Sequence, residues 1–584
     1  MLNQRITILY GSQTGTAQEV AERIWRELKR FYFHGPVKAM DDYLKSQLIY
    51  EPVVVFVCST TGQGEEPDNM KQFWKFLLRK NLPTDSLSNM KYAVLGLGDS
   101  SYLKFNYVAK KLNRRLLQLG GQPLIEIGLG DDQHDLGSDA VVDPWISNLC
   151  AKLCNLYPLP AGVQPISEDQ LCLPRWQTSV IQQNGIDRTE QYSQNDQNFA
   201  SIIKNSRTTA MSHFQDVRLI EMAAPDVEYS PGDVLMVCPH NAPDKVDQFF
   251  TLLNSNEMNA NMLIEVKSKD NDIPVPVILQ KCLTLRKCAE QYWDLSIRGS
   301  YFKRLLAHFS TSEMEKEKLI EFTTAEGQEE LYNYCNRPRR TTLEVLQDFP
   351  HATSNITLEY LFELLQPIRP RAFSIASSPQ AHKGEIHILV AVVKYQTKLK
   401  VPRLGLCSNW LASLSPGIRI PISIRRGIFH FPKTQNIPVI MIGPGTGVAP
   451  FRSYIYHRVA LQEASNELLY LFFGCRNKNG DFHCSNEWMN FRSSGHLTLF
   501  CAFSRDQEHK IYVQNLIKEQ AKLMWDLLQS GAWIFVAGNS KDMPAGVKDA
   551  FIQDVVSKIG KHAHAEEFVK QLENSGRYQT ETWS

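Results

Sequence analysis

The chain opens with a short apolar run, Ile6-Thr7-Ile8-Leu9-Tyr10, which stops at Gly11 and gives way to Ala17, Val20, Ala21, Ile24, Trp25, Leu28 and Phe31 at three-four spacing. That pattern predicts strand, loop and helix in turn. Val53 to Val57 and Tyr92 to Leu97 are two more apolar runs of buried-strand length, each ending in a loop rich in glycine and hydroxyls. Between Leu153 and Arg175 the periodicity lapses into Tyr157-Pro158-Leu159-Pro160-Ala161-Gly162 and then polar residues. This composition predicts an extended, mobile connector and a domain boundary. From Phe214 the pattern is that of short strands with a turn at Ser230-Pro231-Gly232-Asp233, and near Asp244 it changes to helical spacing that lasts to about Leu365. The expectation is a barrel interrupted by a helical insert. Val439 to Ile442 then predicts a strand, Phe451, Ile455 and Val459 a helix, and two later strands end at Ser504-Arg505 and Ala537-Gly538.

At 584 residues and 43% hydrophobic content the chain can fill several cores, so three or four domains are expected. Its formal net charge of +1 lacks the one-sided field of a nucleic-acid or anionic-membrane binder. The twelve cysteines are scattered without a Cys-x-x-Cys, which argues against a metal or cluster site and against a disulfide framework. The expected setting is reduced and cytoplasmic. A membrane span needs roughly twenty consecutive apolar residues. No run approaches that length, and the strand pattern beginning at Arg5 leaves no room for a leader, so neither a signal peptide nor an anchor helix is expected.

The loop Ser12-Gln13-Thr14-Gly15-Thr16-Ala17 combines hydroxyls and glycine at a helix start, where free amides and the positive dipole end suit a phosphate monoester. Ser12, Thr14 and Thr16 are the candidate phosphate ligands. Ser59-Thr60-Thr61-Gly62 and Leu97-Gly98-Asp99-Ser100-Ser101-Tyr102-Leu103-Lys104-Phe105-Asn106 follow the next two strands, where ligands of doubly wound sheets bind. Tyr102 offers a stacking face, Asn106 a polar edge, and Asp132 completes the pocket. Singly, Tyr102 reads as an ordinary half-buried aromatic and Asp132 as a turn residue; three loops in order favour a flavin mononucleotide site instead. Further on, Arg371 and Phe373 alternate along a strand with Ala372 and Ser374, so a guanidinium and a ring share one face. Gly405-Leu406-Cys407-Ser408 precedes a helix and reads as a second phosphate-facing start. Gly443-Pro444-Gly445-Thr446-Gly447 is a nucleotide turn in strand-helix context. Beyond the strand ending at Ser504-Arg505 come Lys510, Tyr512 and Gln514, so Arg505, Lys510 and a nearby hydroxyl could converge on the 2′-phosphate of NADPH, each charge-assisted bond being worth about 1.5–3 kcal/mol.

With these motifs in place the chain resembles, over nearly its whole length, the NADPH-dependent diflavin oxidoreductases, relatives of P450 reductase, methionine synthase reductase and the reductase half of nitric oxide synthase. The most specific segments are Leu97 to Tyr102, Arg371-Ala372-Phe373-Ser374-Ile375-Ala376-Ser377, Gly443 to Phe451 and Glu581-Thr582-Trp583-Ser584. The resemblance implies a multidomain α/β plus β-barrel fold. It would comprise a flavodoxin-like FMN domain (1–152), a flexible linker (153–175), an FAD-binding antiparallel barrel (176–432) with a helical insert at about 241–366, and a ferredoxin-reductase-type NADPH domain (433–584). It assigns residues 12–17, 59–62, 97–106 and Asp132 to FMN, and Arg339, Arg371 to Ser374, Gly405 to Ser408 and Trp583 to FAD. Thr446, Ser504, Arg505, Lys510, Ile511, Tyr512, Val513 and Gln514 fall to NADPH, Ser374, Glu581 and Trp583 to catalysis, and no residue to a metal. Within the family the chain looks most like the branch that lacks a membrane anchor and reduces the anamorsin (Dre2-type) iron–sulfur protein of cytosolic cluster assembly. Alternatives are a reductase subunit for another soluble haem or sulfite-reductase-type acceptor, and a non-catalytic interaction module on a flavin fold. Thr61 stands where the family has a stacking tyrosine, Phe373 for a tyrosine, Ala537 for a cysteine, Glu581 for an aspartate and Gly546 for an aspartate. The changes at Ala537 and Glu581 lead to an expectation of slower hydride transfer than in the membrane enzymes.

Overall fold

The computed structural model describes residues 4–61, 64–102, 104–167, 169–181, 198–253, 258–269, 272–296, 300–324 and 326–583. Gly62, Leu103 and Ser584, three positions in the assigned segments, lie outside the described residues. The chain divides into two compact units, one comprising the described residues of Met1–Arg188, His240–Arg369 and Gln396–Val401, the other those of Thr189–Pro239, Pro370–Tyr395 and Pro402–Ser584.

In the first unit, alternate residues of strand Val53–Ser59 enter two different cores. Val53, Val55 and Val57 pack with Ala17, Ile24 and Leu149 on one side, and Val54, Phe56 and Cys58 with Phe73, Leu112 and Leu116 on the other. A strand buried on both faces must be apolar throughout, which is why it reads as a run without alternation. Among the described residues the sheet has six parallel strands, in the order Val37–Ala39, Thr7–Gly11, Val53–Ser59, Lys91–Gly98 and Gln122–Pro123, with Gly128–Asp131 also paired to Lys91–Gly98. This doubly wound order places the candidate FMN loops at the carboxyl ends of its strands.

The insert differs from a purely helical one. Leu263–Ser268 and Leu283–Thr284 are strands, and Trp176–Ile181, expected to open the barrel, pairs antiparallel with Leu263–Ser268 instead. Trp176, Phe249, Trp293 and Phe362 belong to the same continuous apolar cluster as Ile24 and Val55. At about 1.5–3 kcal/mol for each large buried side chain, this cluster joins the flavodoxin-like sheet to the insert. The connector is also corrected. Helix Asp139–Leu156 covers its first four residues, 153 to 156, and the remainder is fastened rather than loose. Ile166 N donates to Arg30 O at 2.8 Å, Arg30 Nη1 to Ser167 O at 2.8 Å, and Tyr360 Oη to Cys172 O at 2.9 Å. Arg175 pairs with Glu22 and donates its amide to Glu363 at 2.8 Å. Freeing this connector requires breaking those bonds.

The second unit holds an antiparallel sheet of six strands among the described residues, ordered Arg371–Ser374, Val234–Val237, Arg419–Arg425, Asn198–Arg207, Val217–Ala223 and Glu385–Ala391. An Ile375–Ile388 bridge links the first strand's end to the last, closing a barrel around Ile202, Ile220, Leu235, Ile375, Ile388 and Ile422. Asn198–Arg207 begins well before Phe214, where the strand pattern was expected to start. Beside it, five parallel strands run Thr498–Phe503, Leu469–Cys475, Val439–Ile442, Trp533–Asn539 and Tyr578–Trp583. Strand order reverses at Val439–Ile442, so the Gly443–Gly447 turn lies at the switch point where nucleotides bind. No helix among the described residues is long and apolar enough to cross a membrane.

Candidate functional site

At the first loop, Gly15 takes φ 93°, and its amide donates to Ser12 Oγ at 2.9 Å, folding the chain into the start of helix Thr16–Lys29. The first-turn amides of that helix have no acceptor within it and suit a phosphate. Gln13 serves the loop itself: its Nε2 donates to Asp68 Oδ2 and its Oε1 accepts from Asp68 N, both at 2.9 Å. Thr60 Oγ1 accepts from Val108 N at 3.3 Å, and Thr61 Oγ1 donates to Glu65 O at 3.0 Å, so these hydroxyls also shape their loop. In the third loop the Asp99 carboxylate accepts from Ser101 N at 2.8 Å, and Asp131 accepts from Ser100 N at 2.9 Å. Asn106 is fully buried with φ 51°; its Nδ2 donates to Gly130 O at 2.9 Å, and its Oδ1 would lie 2.8 Å from a Cβ on Gly96. Glycine at positions 96 and 98 is therefore what lets this loop close over Asn106. Asp132 donates its amide to Gly98 O at 2.9 Å. Burial raises its carboxyl above the ordinary aspartate value, and the charges of Asp99, Asp131 and Asp139 add to the rise. Tyr102 is half-buried, and Lys104 and Phe105 lie in the same turn. The Thr14 and Thr16 hydroxyls and the first-turn amides of helix Thr16–Lys29 fit the phosphate of FMN.

In the second unit, Arg371 pairs in register with Val237 and Phe373 with Leu235, and Ala372 faces solvent. Phe373 packs on the barrel core. Burial pushes the Cys407 thiol, in the first turn of helix Leu406–Ser413, up to about 12, while the Arg371 charge opposes the rise. Ser408 Oγ accepts from Val393 N at 3.0 Å, and a Cβ on Gly405 would meet Val393 Cβ at 2.8 Å, so both hold the turn that presents Leu406 and Cys407. Arg339 is exposed at φ 55° and belongs to the first unit.

The nucleotide turn packs tightly on strand Trp533–Asn539: a Cβ on Gly447 would lie 2.2 Å from Ala537 O. Gly445 takes φ 58° and Thr446, next in the turn, is half-buried. Ser504 N donates to Cys475 O at 2.9 Å and Arg505 N to Arg476 O at 2.8 Å, which sets both at the carboxyl edge of the sheet. Arg505, Lys510 and Tyr512 are exposed, Ile511 and Gln514 partly so, and Val513 is buried in the core as the first residue of helix Val513–Glu519. Neither Arg505 nor Lys510 has an ion-pair partner among the described residues. Gln514 Nε2 lies 3.3 Å from the Cβ position of Gly546. Arg476 follows strand Leu469–Cys475 at this same edge, and its guanidinium lies 4.1 Å from the Phe214 ring. Ser374 Oγ donates to Glu581 Oε2 at 3.3 Å, and Glu581 lies in register with Ala537, whose methyl is fully buried. Trp583, two residues on, is half-buried and its carbonyl accepts from Ser540 N at 2.9 Å.

Comparison with known proteins matches the three parts in order: a flavodoxin profile over residues 8–145, an FAD binding domain over 191–410 and an oxidoreductase NAD-binding domain over 441–549. Together with the sheets and barrel described, they define a flavoprotein reductase that uses FMN, FAD and NADPH. The chain is 49% identical to "NADPH-dependent diflavin oxidoreductase 1" of Xenopus laevis with both chains fully covered, and 46% identical to the Mus musculus protein of that name with 99% of each covered. The Arabidopsis thaliana protein is 38% identical over 100% of this chain and 99% of its own. The chain belongs to the NADPH-dependent diflavin oxidoreductases.

Trp583 is expected to compete with the nicotinamide for the FAD ring. Because its carbonyl alone bonds Ser540, Trp583→Ala removes the indole and keeps the strand. A ring stack is worth about 0.5–1.5 kcal/mol, so kcat/KM for NADH relative to NADPH should rise by about three- to tenfold. Steady-state kinetics with both nucleotides check this; an unchanged ratio removes the gate.

Proposed function

We propose that this diflavin reductase delivers electrons from NADPH, through FAD and then FMN, to an iron–sulfur protein of the anamorsin/Dre2 type in cytosolic iron–sulfur cluster assembly. The cofactors supply the hard chemistry: FAD accepts hydride and passes its electrons on one at a time. The protein's own part is placement. Glu581 takes the Ser374 hydroxyl proton as its hydrogen-bond partner, so Ser374 Oγ is held at a fixed orientation beside the strand that carries Phe373 and Arg371. The Gly447 approach to Ala537 fixes the nucleotide turn against the strand adjoining Glu581.

The observation that carries the acceptor is full-length likeness to relatives named diflavin oxidoreductase 1, taken with the resemblance to the branch without an anchor. Twelve free cysteines suit a reducing, cytoplasmic setting. Asp99, Asp131 and Asp132 at the FMN loops favour an acceptor with a basic docking face. The test is anaerobic titration of the purified protein with NADPH, followed by addition of an oxidised anamorsin-type protein or of a sulfite-reductase haem subunit. Faster oxidation of the flavins by the iron–sulfur protein is the expected result. Preference for the haem subunit would replace this reading with the alternative, and flavins that NADPH fails to bleach would leave only an interaction module.

A further inference from the structure

The last residues of the insert reach the phosphate loop of the flavodoxin-like domain. Arg369 Nη1 donates to Thr14 O at 3.1 Å and to Thr16 Oγ1 at 3.2 Å, and Nη2 pairs with Glu19 Oε2 at 3.0 Å. Its side chain is only 12% exposed, and a Cβ on Gly15 would stand 3.0 Å from its Cζ. Gln366 Nε2 donates to the other oxygen of the same Glu19 carboxylate. These contacts lie far in sequence from the loop, and residues 12–17 themselves carry no cation. We infer that Arg369 is a positioning residue for the FMN phosphate and makes FMN loading strengthen the docking of the flavodoxin-like domain on the insert.

A phosphate monoester brings about −1.5 to −2 charges at neutral pH. First-turn amides and hydroxyls bind it, but nothing in the loop neutralises it. By donating to Thr16 Oγ1, Arg369 occupies that oxygen as an acceptor and leaves the hydroxyl hydrogen to point elsewhere, toward a phosphate oxygen. By donating to Thr14 O it polarises the Thr14–Gly15 peptide, whose N–H holds Ser12 Oγ at 2.9 Å, and so tightens the turn of the phosphate loop. Glu19 steers the guanidinium; with Arg369 absent, the same carboxylate would face the phosphate as a like charge. Because the guanidinium comes from the insert, whatever it adds to phosphate affinity it adds equally to docking.

This inference rests on the reading that residues 12–17 hold the FMN phosphate, and the experiment separates the two. Full-length protein stripped of FMN is titrated with FMN and with riboflavin, which has the same ring and no phosphate, following flavin fluorescence. Wild type is expected to bind FMN more tightly than riboflavin. Arg369→Ala should weaken FMN by about tenfold or more and leave riboflavin unchanged. Arg369→Gln, which keeps bulk and hydrogen bonding without charge, should lose FMN affinity in the same direction. Wild-type FMN affinity in both variants overturns the role of Arg369, as does a parallel loss of riboflavin in both, which would mark a structural defect. A wild-type protein that fails to distinguish the two ligands overturns the phosphate-loop reading itself.

Discussion

Replacing Arg505 and Lys510 together with alanine is expected to raise the KM for NADPH by about a hundredfold and leave NADH kinetics nearly unchanged. The 2′-phosphate is what distinguishes the two nucleotides. Two charge-assisted bonds to it would be worth about 3–6 kcal/mol if fully desolvated. Both side chains are exposed in this structure, so screening places the effect at the low end of that range. The backbone that carries them is held separately, through Ser504 N to Cys475 O and Arg505 N to Arg476 O, and alanine preserves those bonds. The NADH arm therefore serves as the internal control for folding. Comparable losses with both nucleotides would mean that these residues support the loop and do not read the phosphate.

Arg452→Met is expected to cost about 3–5 kcal/mol of the stability of the second unit. Arg452, on helix Ala449–Ala460 just after the nucleotide turn, is 3% exposed and binds Glu487 through Nε at 2.7 Å and Nη2 at 2.8 Å. Its Nη1 donates to Ala376 O at 2.8 Å, two residues beyond Ser374. One guanidinium thus ties the NADPH-binding helix to the FAD-binding strand. Removing it leaves the Glu487 carboxylate and a buried carbonyl without their partner. Because Glu487 is 25% exposed, water recovers part of the loss. Urea unfolding followed by release of FAD fluorescence measures the effect, and the double variant Arg452→Met/Glu487→Met should regain part of it. A midpoint equal to wild type for the single variant would show that the pair contributes little.

The same junction should be acid-sensitive. His387 Nδ1 lies 3.3 Å from Arg452 Nη1, and the His382 and His387 rings are 4.6 Å apart. Burial first, with His387 and Arg452 adding for His382 and Arg452 for His387, holds both imidazoles down from 6.5 to about 4. The unfolded chain therefore binds more protons than the folded one between these values, so stability falls as pH drops from about 6.5 toward 4 and is insensitive to these groups above that window.

Much of the class was legible because local chemistry and strand order coincide. Uninterrupted runs such as Val53 to Val57 announce strands covered on both faces, and each ends where a loop of glycine and hydroxyls must begin. Trp176–Ile181 fell on the barrel side of the boundary expected at 176, because nothing local states whether a strand's partner lies in the barrel or in the insert.

What the order of residues determined by itself was the succession of a doubly wound sheet, a barrel with an insert and a second parallel sheet, because periodicity and glycine placement act over a few residues. What only tertiary structure decided was which distant groups meet. The connector was fastened by Arg30, Tyr360 and Arg175; Arg369 was set against Thr14 and Thr16; Arg452 was joined to Ala376. Those pairings depend on packing between elements far apart in the chain, and a long side chain finds its partner only after the backbone around both has been placed.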